Sequence, residues 1–140
     1  MKPPEEVKKE FTREWVRKAE TDFKTATHLS KGGADFLEGI AFHCQQAVEK
    51  YLKAFLVWHQ VEFSKTHDIK TLLELTGKVD DMILDILRDA TILTPYGVDY
   101  RYPGDYPDVT ESDSEKALQL AADVREEIRR RLPRDVLEKG

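Results

Sequence analysis

Four polar side chains share one side of the most apolar helix pattern in the sequence. His43, Gln46, Lys50 and Lys53 are spaced by three or four residues and fall within about a quarter-turn of one another, with Glu49 at the edge. Two ammonium groups can bind phosphate oxygens, while an amide and an imidazole can hydrogen-bond the edge of a base. The spacing predicts a polar stripe opposite the core, and its side chains form a reasonable set for contacting a nucleotide. Spacing alone favours a plain solvated helix face, because nearly every amphipathic helix has one.

A second candidate group stands where a loop meets a predicted short helix. Lys65, Thr66, His67 and Asp68 are consecutive there. Free backbone N–H groups and the positive end of the helix dipole favour anions at such a junction. The residues alone favour a structural interpretation, with Thr66 as the N-cap and Asp68 complementing the dipole. The sequence leaves both interpretations open, and we carry Lys65 and His67 forward as candidate ligand contacts.

A third candidate group lies in the segment TPYGVDYRYPGDYPD, residues 94–108. Arg101 and Tyr102 sit among further tyrosines on this segment, and aromatic faces beside a guanidinium can stack on bases. Loops held by a rigid scaffold often carry function. The alternative is that the tyrosines cover one end of the protein while Arg101 bridges to Asp99 or Asp105.

Metal and phosphate-loop chemistry find little support in the sequence. The histidines lack the spacing of metal ligands on one helix face; they are His28, His43, His59 and His67. The Lys31-Gly32-Gly33 triplet lacks the flanking strand and the spacing of a P-loop. Cys44 and His43 are adjacent on a helix and therefore point about 100° apart, which excludes a catalytic dyad. We expect no bound metal and no cofactor.

Length and composition limit the remaining classes. The chain has 140 residues, a formal net charge of −5 and a pI near 5.4. A length of this order suits a single domain over residues 1–140, with a core at about 11–132. The acidic balance argues against a generic nucleic-acid coat, so any polyanion site must be local. No apolar run has the length of a signal peptide or a membrane span, and we expect a cytoplasmic protein without membrane contact.

Helical periodicity runs through most of the sequence. A first helix is predicted from about Phe11 to Leu29, ended by Gly32 and Gly33. A second opens with Asp35 as its N-cap and continues to about His59. It is the central helix, and it is apolar over more than half of its circumference.

The second half of the chain predicts shorter helices and one long loop. Thr66 caps a third helix that Gly77 ends, and Asp80 begins a fourth. Residues 94–108 form the loop, and Ser112 or Ser114 caps a last helix that runs to Leu132. No strand pattern occurs. These elements predict an all-α, up-and-down four-helix bundle with an additional short helix.

The apolar surface of the second helix exceeds what one bundle is expected to cover. Phe42 and Leu56 lie outside its main apolar stripe. Large exposed apolar patches are uncommon on monomers, so this excess predicts a homodimer.

Three segments of the chain resemble the HEPN family of prokaryotic and eukaryotic nucleotide-binding helical domains. They are FHCQQAVEKYLKAFL at 42–56, KTHDIKTLLEL at 65–75 and YRYP at 100–103. The resemblance implies a helical bundle that commonly dimerises and often works beside a minimal nucleotidyltransferase. It also implies that one nucleotide site is shared by His43, Gln46, Lys50, Lys53, Lys65, His67 and Arg101, beside Tyr102.

Many HEPN proteins are metal-independent ribonucleases marked by an Arg followed four to six residues later by His. This chain lacks that motif, because His67 is its last histidine and the earlier arginines, Arg13 and Arg17, stand far outside the window. We therefore predict a non-catalytic nucleotide- or nucleic-acid-binding subunit. Two alternatives stay open. One is a toxin-like endoribonuclease whose dimer brings Arg101 together with His43 or His67, and the other is a protein-interaction scaffold.

Overall fold

The computed structural model describes residues 4–97, 104 and 107–137. Within these residues all regular structure is helical, which confirms the predicted fold class. The α-helices are α1 (Pro4–Leu29), α2 (Leu37–Trp58), α3 (Ile69–Val79), α4 (Asp81–Leu87), α5 (Glu111–Arg131) and α6 (Arg134–Leu137). Two 3-10 segments, Ser30–Phe36 and Arg88–Gly97, connect α1 to α2 and extend α4.

Helix α2 is the centre of the bundle, with α1 antiparallel to it. Lys8 lies over the Trp58 ring at one end of this pair, and Asp22 meets His43 towards the other. Helices α5 and α3 and the second 3-10 segment cover the remaining sides of α2. Because α2 has neighbours on all these sides, its apolar residues are buried within one chain.

This burial corrects the basis of the dimer prediction. Leu56 is fully buried in the single chain, and Phe42 is partly buried. The apolar excess of α2 is therefore covered by α1, α5 and the 3-10 segment, and it does not require a second copy. The first helix differs from expectation as well, since α1 begins at Pro4, and Phe11, where the predicted helix began, is 60% exposed.

The start of α2 differs from the sequence prediction. Asp35 does not cap α2, because it lies inside the first 3-10 segment, and Phe36 occupies the cap position without a capping side chain. Gly33 adopts a φ of +82°, a left-handed conformation that a residue with a Cβ rarely takes. Helix α1 already ends at Leu29, and the glycine pair turns the chain inside the 3-10 segment that begins at Ser30.

The caps of the later helices are displaced from the predicted residues. Asp68, rather than Thr66, caps α3 by accepting a hydrogen bond from the Lys70 amide at 3.2 Å. Gly77 lies inside α3, which continues to Val79 before Asp80 caps α4.

The cap of α5 and the preceding loop show the same kind of shift. Thr110 caps α5, and it forms a reciprocal capping box with Asp113, so neither Ser112 nor Ser114 is the cap. The segment from Thr94 also stays helical as far as Gly97, because the 3-10 turn tolerates Pro95. Residues 94–97, which their composition placed in the loop, are therefore helical, and most of the predicted loop lies outside the described residues.

The core contains the single cysteine of the chain. Cys44 is fully buried between apolar side chains, and burial raises the pKa of its thiol to about 12. No helix of the described residues is sufficiently long and apolar to span a bilayer.

Candidate functional site

Asp22 of α1 binds two of the predicted site residues of α2. One carboxylate oxygen lies 2.8 Å from Nδ1 of His43, and the other accepts a hydrogen bond from Lys50 Nζ. The Asp22 side chain is 12% exposed, whereas those of Lys50 and His43 are 22% and 29% exposed. The less exposed Asp22 carboxylate therefore holds the imidazole and the ammonium group in place, while both of these groups keep access to solvent.

The sequence analysis missed Asp22, although the pattern contained a signal for it. Ala19 and Ala26 are buried in the α1–α2 interface, and Asp22 stands between them on the same side of α1. A carboxylate within an apolar stripe needs a cationic or hydrogen-bonding partner. That need could have linked α1 to the histidine and lysine of α2.

Glu49 is the centre of a second cluster on the same helix. Lys53 Nζ lies 3.0 Å from one carboxylate oxygen of Glu49, and Nδ1 of His67 lies 2.8 Å from the other. The side chains of Glu49 and Lys53 are 4% and 7% exposed, whereas that of His67 is 74% exposed. The structure thus repeats one arrangement, in which a buried carboxylate binds a lysine and a histidine.

The prediction that this stripe faces away from the core is wrong for Glu49 and Lys53. The Lys53 ammonium lies 5.5 Å from the centre of the Trp15 ring and 5.8 Å from that of Phe63. Trp15 belongs to α1, and Phe63 belongs to the segment that returns from α2 to α3. Both aromatic rings fold over the stripe, so Lys53 is a buried partner of Glu49 and is not exposed to ligand.

Gln45 and Gln46 join the second cluster to its surroundings. Gln46 donates a hydrogen bond to the Gln45 side-chain oxygen at 2.7 Å. Gln45 in turn donates to Glu49 and to the His67 carbonyl, both at 3.2 Å. A Cβ at Gly97 would lie 2.4 Å from the Gln45 side chain, so only glycine fits where the second 3-10 segment crosses this amide.

The hydrogen bonds define what each imidazole can do. A carboxylate at Nδ1 requires a proton on that nitrogen, which leaves Nε2 of a neutral ring as an acceptor or a base. His43 and His67 both have this arrangement. Each Nε2 can accept a hydrogen bond from a ribose hydroxyl or a base amino group, or it can take up a proton.

The remaining candidate residues are less closely tied to these clusters. Lys65 is exposed, and none of the described residues pairs with its ammonium group. Arg101 and Tyr102 lie outside the described residues. At the start of α3 the first two amides are already paired, because the Ile69 amide donates to Thr94 Oγ1 and the Lys70 amide donates to Asp68, both at 3.2 Å. In the described ranges, no three His, Cys, Asp or Glu side chains are grouped to hold a metal ion.

The HEPN domain family model matches residues 12–131, which run from within α1 to the end of α5 and include both carboxylate clusters. The crystal structure of an archaeal HEPN homologue is similar to this chain at 27% identity, with a TM-score of 0.68; the match covers 86% of this chain and 96% of the archaeal one. A crystal structure from Thermus thermophilus shares the fold at 24% identity and a TM-score of 0.68, covering 86% of this chain and 98% of its own. No curated protein matches the chain.

These similarities explain why the polar clusters deserve a functional test. HEPN domains have a general role with nucleotides or RNA, and the matched region holds every described candidate residue. The family match spans most of the chain, and the sequence motifs at residues 42–56 and 65–75 lie inside it. The chain belongs to the HEPN family.

Proposed function

We propose that the chain is a non-catalytic HEPN subunit that binds a nucleotide or the end of a nucleic acid on the outer side of α2. The observation that carries this proposal is the pair of carboxylate clusters. Asp22 orients His43 and Lys50, and Glu49 orients His67. Groups that are fixed before binding lose little side-chain entropy when a ligand arrives.

The lysines and the histidines of this site suit different parts of the ligand. Each carboxylate is balanced by one lysine, so a neutral imidazole leaves each cluster without net charge. Lys65 is the exposed ammonium nearest in sequence to His67, and Lys50 retains further N–H donors beside its bond to Asp22. These two lysines suit phosphate oxygens, while the Nε2 atoms of His43 and His67 suit ribose or base groups.

Calorimetric titration with ATP and GTP tests the site. The double variant Lys65→Ala, His67→Ala should bind about tenfold more weakly, since it removes a charged donor and an oriented imidazole. The variant keeps the fold because both side chains are exposed. The matched control is Lys70→Ala, Lys78→Ala, which removes two exposed lysines from α3. Equal affinity of wild type and the site variant would refute the assignment.

The family relation supports a dimer that works with a nucleotidyltransferase partner. HEPN proteins are often dimeric. In our proposal this chain forms a homodimer that presents its bound nucleotide to a separate nucleotidyltransferase. Sedimentation of the purified chain over a range of concentrations tests the dimer. If the chain were a scaffold instead, it would bind a protein partner but show no saturable nucleotide binding.

The oriented imidazoles also favour a second candidate, a metal-independent endoribonuclease. A carboxylate at Nδ1 with Nε2 exposed is the arrangement of a general base, and His67 is sufficiently exposed to reach a ribose hydroxyl. Incubation of labelled RNA in EDTA with wild type, His67→Ala and Arg101→Ala distinguishes the candidates. Cleavage that both substitutions abolish would establish the nuclease, and binding without cleavage supports the non-catalytic subunit.

A further inference from the structure

The part of the chain between the exposed carboxylates of Glu14 and Asp35 carries cations on its outer side. Between Trp15 and Ala34 the exposed charged side chains are all basic, whereas the two acids of this stretch, Glu20 and Asp22, turn inwards. We call this surface the α1 basic face and define it by Arg17, Lys18, Lys24, His28 and Lys31. It stands out on a chain whose net charge is −5.

The inward acids cannot neutralise the α1 basic face, because each is already paired. Glu20 receives the Arg125 guanidinium at 2.7 Å, and Asp22 binds Lys50. Lys24 and Lys31 have no partner among the described residues, while Arg17 is bound to Glu14 and Lys18 interacts with the same carboxylate. The positive potential of this surface is therefore directed to solvent.

The cations form a line along the helix. Arg17, Lys24 and Lys31 are seven residues apart, which is close to two helical turns, so they follow one side of α1 and its extension. The rise of an α-helix places successive members about 10 Å apart and makes the line about 20 Å long. This geometry suits an extended polyanion better than a compact phosphate group.

An exposed aromatic ring lies at the end of the line. Phe36 is 44% exposed, and with His28 and Lys31 it lines a hollow of about 290 Å³. Gly32 lies beneath the ring, since a Cβ there would come within 2.5 Å of Phe36 Cε2. The glycine backbone thus supports the ring beside two basic groups. Aromatic rings next to a cationic track are the features by which proteins bind single-stranded nucleic acid.

We propose that the α1 basic face and Phe36 bind single-stranded nucleic acid, with the lysines on phosphates and Phe36 stacked on a base. This deepens the proposed function, but it uses a surface separate from the two carboxylate clusters. A membrane surface fits less well, because an interfacial helix inserts an apolar face. Along the α1 basic face the apolar residues Ala19 and Ala26 are buried, and outward Thr21 and Thr25 bond the helix's own carbonyl groups.

Fluorescence anisotropy with a labelled oligouridylate of about 20 nucleotides tests the surface at several salt concentrations. The variant Lys24→Ala, Lys31→Ala should bind at least about tenfold more weakly at low salt. Its plot of log affinity against log salt should be shallower by about 1.4, since each lost phosphate contact on a single strand contributes about 0.7. The control Lys70→Ala, Lys78→Ala removes the same charge from α3 and should keep the wild-type slope.

Phe36 provides a second arm of the test. Phe36→Ala should weaken binding with the salt slope unchanged, because stacking releases no counterions, and Phe36→Tyr should restore it. Circular dichroism checks that each variant is folded. The proposal is overturned if the control pair loses as much affinity as Lys24→Ala, Lys31→Ala, or if those lysines govern binding to phosphatidylserine vesicles but not to the oligouridylate.

Titration of the same variants with ATP separates this surface from the α2 site. Lys24→Ala, Lys31→Ala should leave ATP binding unchanged, while the Lys65→Ala, His67→Ala variant reduces it. Oligouridylate binding that depends on Lys24 and Lys31 in a protein with no ATP affinity would support the α1 surface and refute the α2 site. Oligouridylate binding that ignores Lys24, Lys31 and Phe36 would refute the surface.

Discussion

Two carboxylates of α1 stand two residues apart and meet different kinds of neighbour. Glu20 faces α5, where it accepts hydrogen bonds from Arg125 at 2.7 and 2.9 Å and from Arg129 at 3.2 Å, and it also accepts from the Tyr51 hydroxyl. Asp22 faces α2, where it binds a lysine and an imidazole. The first carboxylate is surrounded by donors that belong to three side chains.

The difference lies in what the partners can still do. The guanidinium groups stay charged at all physiological pH values, and burial together with Glu20 raises the pKa of Tyr51. The Glu20 cluster is therefore a fixed link between α1, α2 and α5. The Asp22 cluster contains a histidine whose second nitrogen remains available. An inward-facing carboxylate thus links three helices in one case and orients a histidine and a lysine in the other.

Removing Glu20 should have the largest effect. Glu20→Ala leaves two guanidinium groups and a phenol without their shared acceptor, and it should lower the free energy of unfolding by about 3 kcal/mol. Urea denaturation followed by circular dichroism measures this, and nucleotide affinity should not change. Glu14→Ala is the matched control, because Glu14 bonds only the exposed Arg17. A loss within error for Glu20→Ala would remove the distinction between the clusters.

Acid should remove the same contribution gradually. Burial raises the pKa of Glu20, but the hydrogen bonds from Arg125 and Tyr51 outweigh it, so the pKa lies below the ordinary 4.5. A carboxyl whose pKa is lower in the folded state than in the unfolded state stabilises the fold at pH values above its unfolded-state pKa. This stabilisation is lost as the pH falls through the folded-state pKa. The difference in urea midpoint between wild type and Glu20→Gln should be constant near neutrality and shrink towards about pH 3. A difference that grows in acid would contradict this sign.

Asp22→Ala should cost less stability but more function. Lys50 and His43 keep access to water, so the loss should be about 1–2 kcal/mol. ATP binding should weaken because neither group remains oriented. Asp22→Asn keeps one acceptor oxygen, so its stability and its ATP affinity should lie between those of the wild type and Asp22→Ala. If Asp22→Ala bound ATP like the wild type, the cluster would be structural in the same sense as Glu20.

The smallest expected effect is that of Tyr51→Phe. Glu20 keeps both arginines in this variant, and only one hydrogen bond is lost, which corresponds to about 1 kcal/mol. A combination with Glu20→Ala should add almost nothing, since both changes remove the same bond. Additive losses would show that Tyr51 contributes through its packing and not through the cluster.

The sequence predicted the family and the helical fold because helical periodicity and the residue 42–56 motif are strong local features. The buried residues of α2 were predicted correctly from that period, among them Val48, Leu52 and Phe55. The caps were predicted less well, because Thr, Ser and Asp compete for such positions and the structure decides between neighbours such as Thr66 and Asp68.

The candidate site was predicted only in part, because its connections run between elements. His43 and Lys50 were identified from one helix, but Asp22 comes from another. The burial of Lys53 depends on the Phe63 segment folding over α2, which no period of α2 reveals. Whether these residues bind a nucleotide remains a prediction that the titrations test.

The buried thiol of Cys44 provides a measure of how often the native protein opens. Cys44 is the single cysteine of the chain, and its buried thiol has a pKa of about 12. A thiol-reactive dye can therefore modify the protein only during openings that expose α2. The labelling rate therefore reports how often the centre of the bundle opens without denaturant. Nucleotide or oligouridylate that binds the closed form should slow this rate. Labelling of the buried sulfur atom can therefore detect ligand binding on the outer surfaces of the protein.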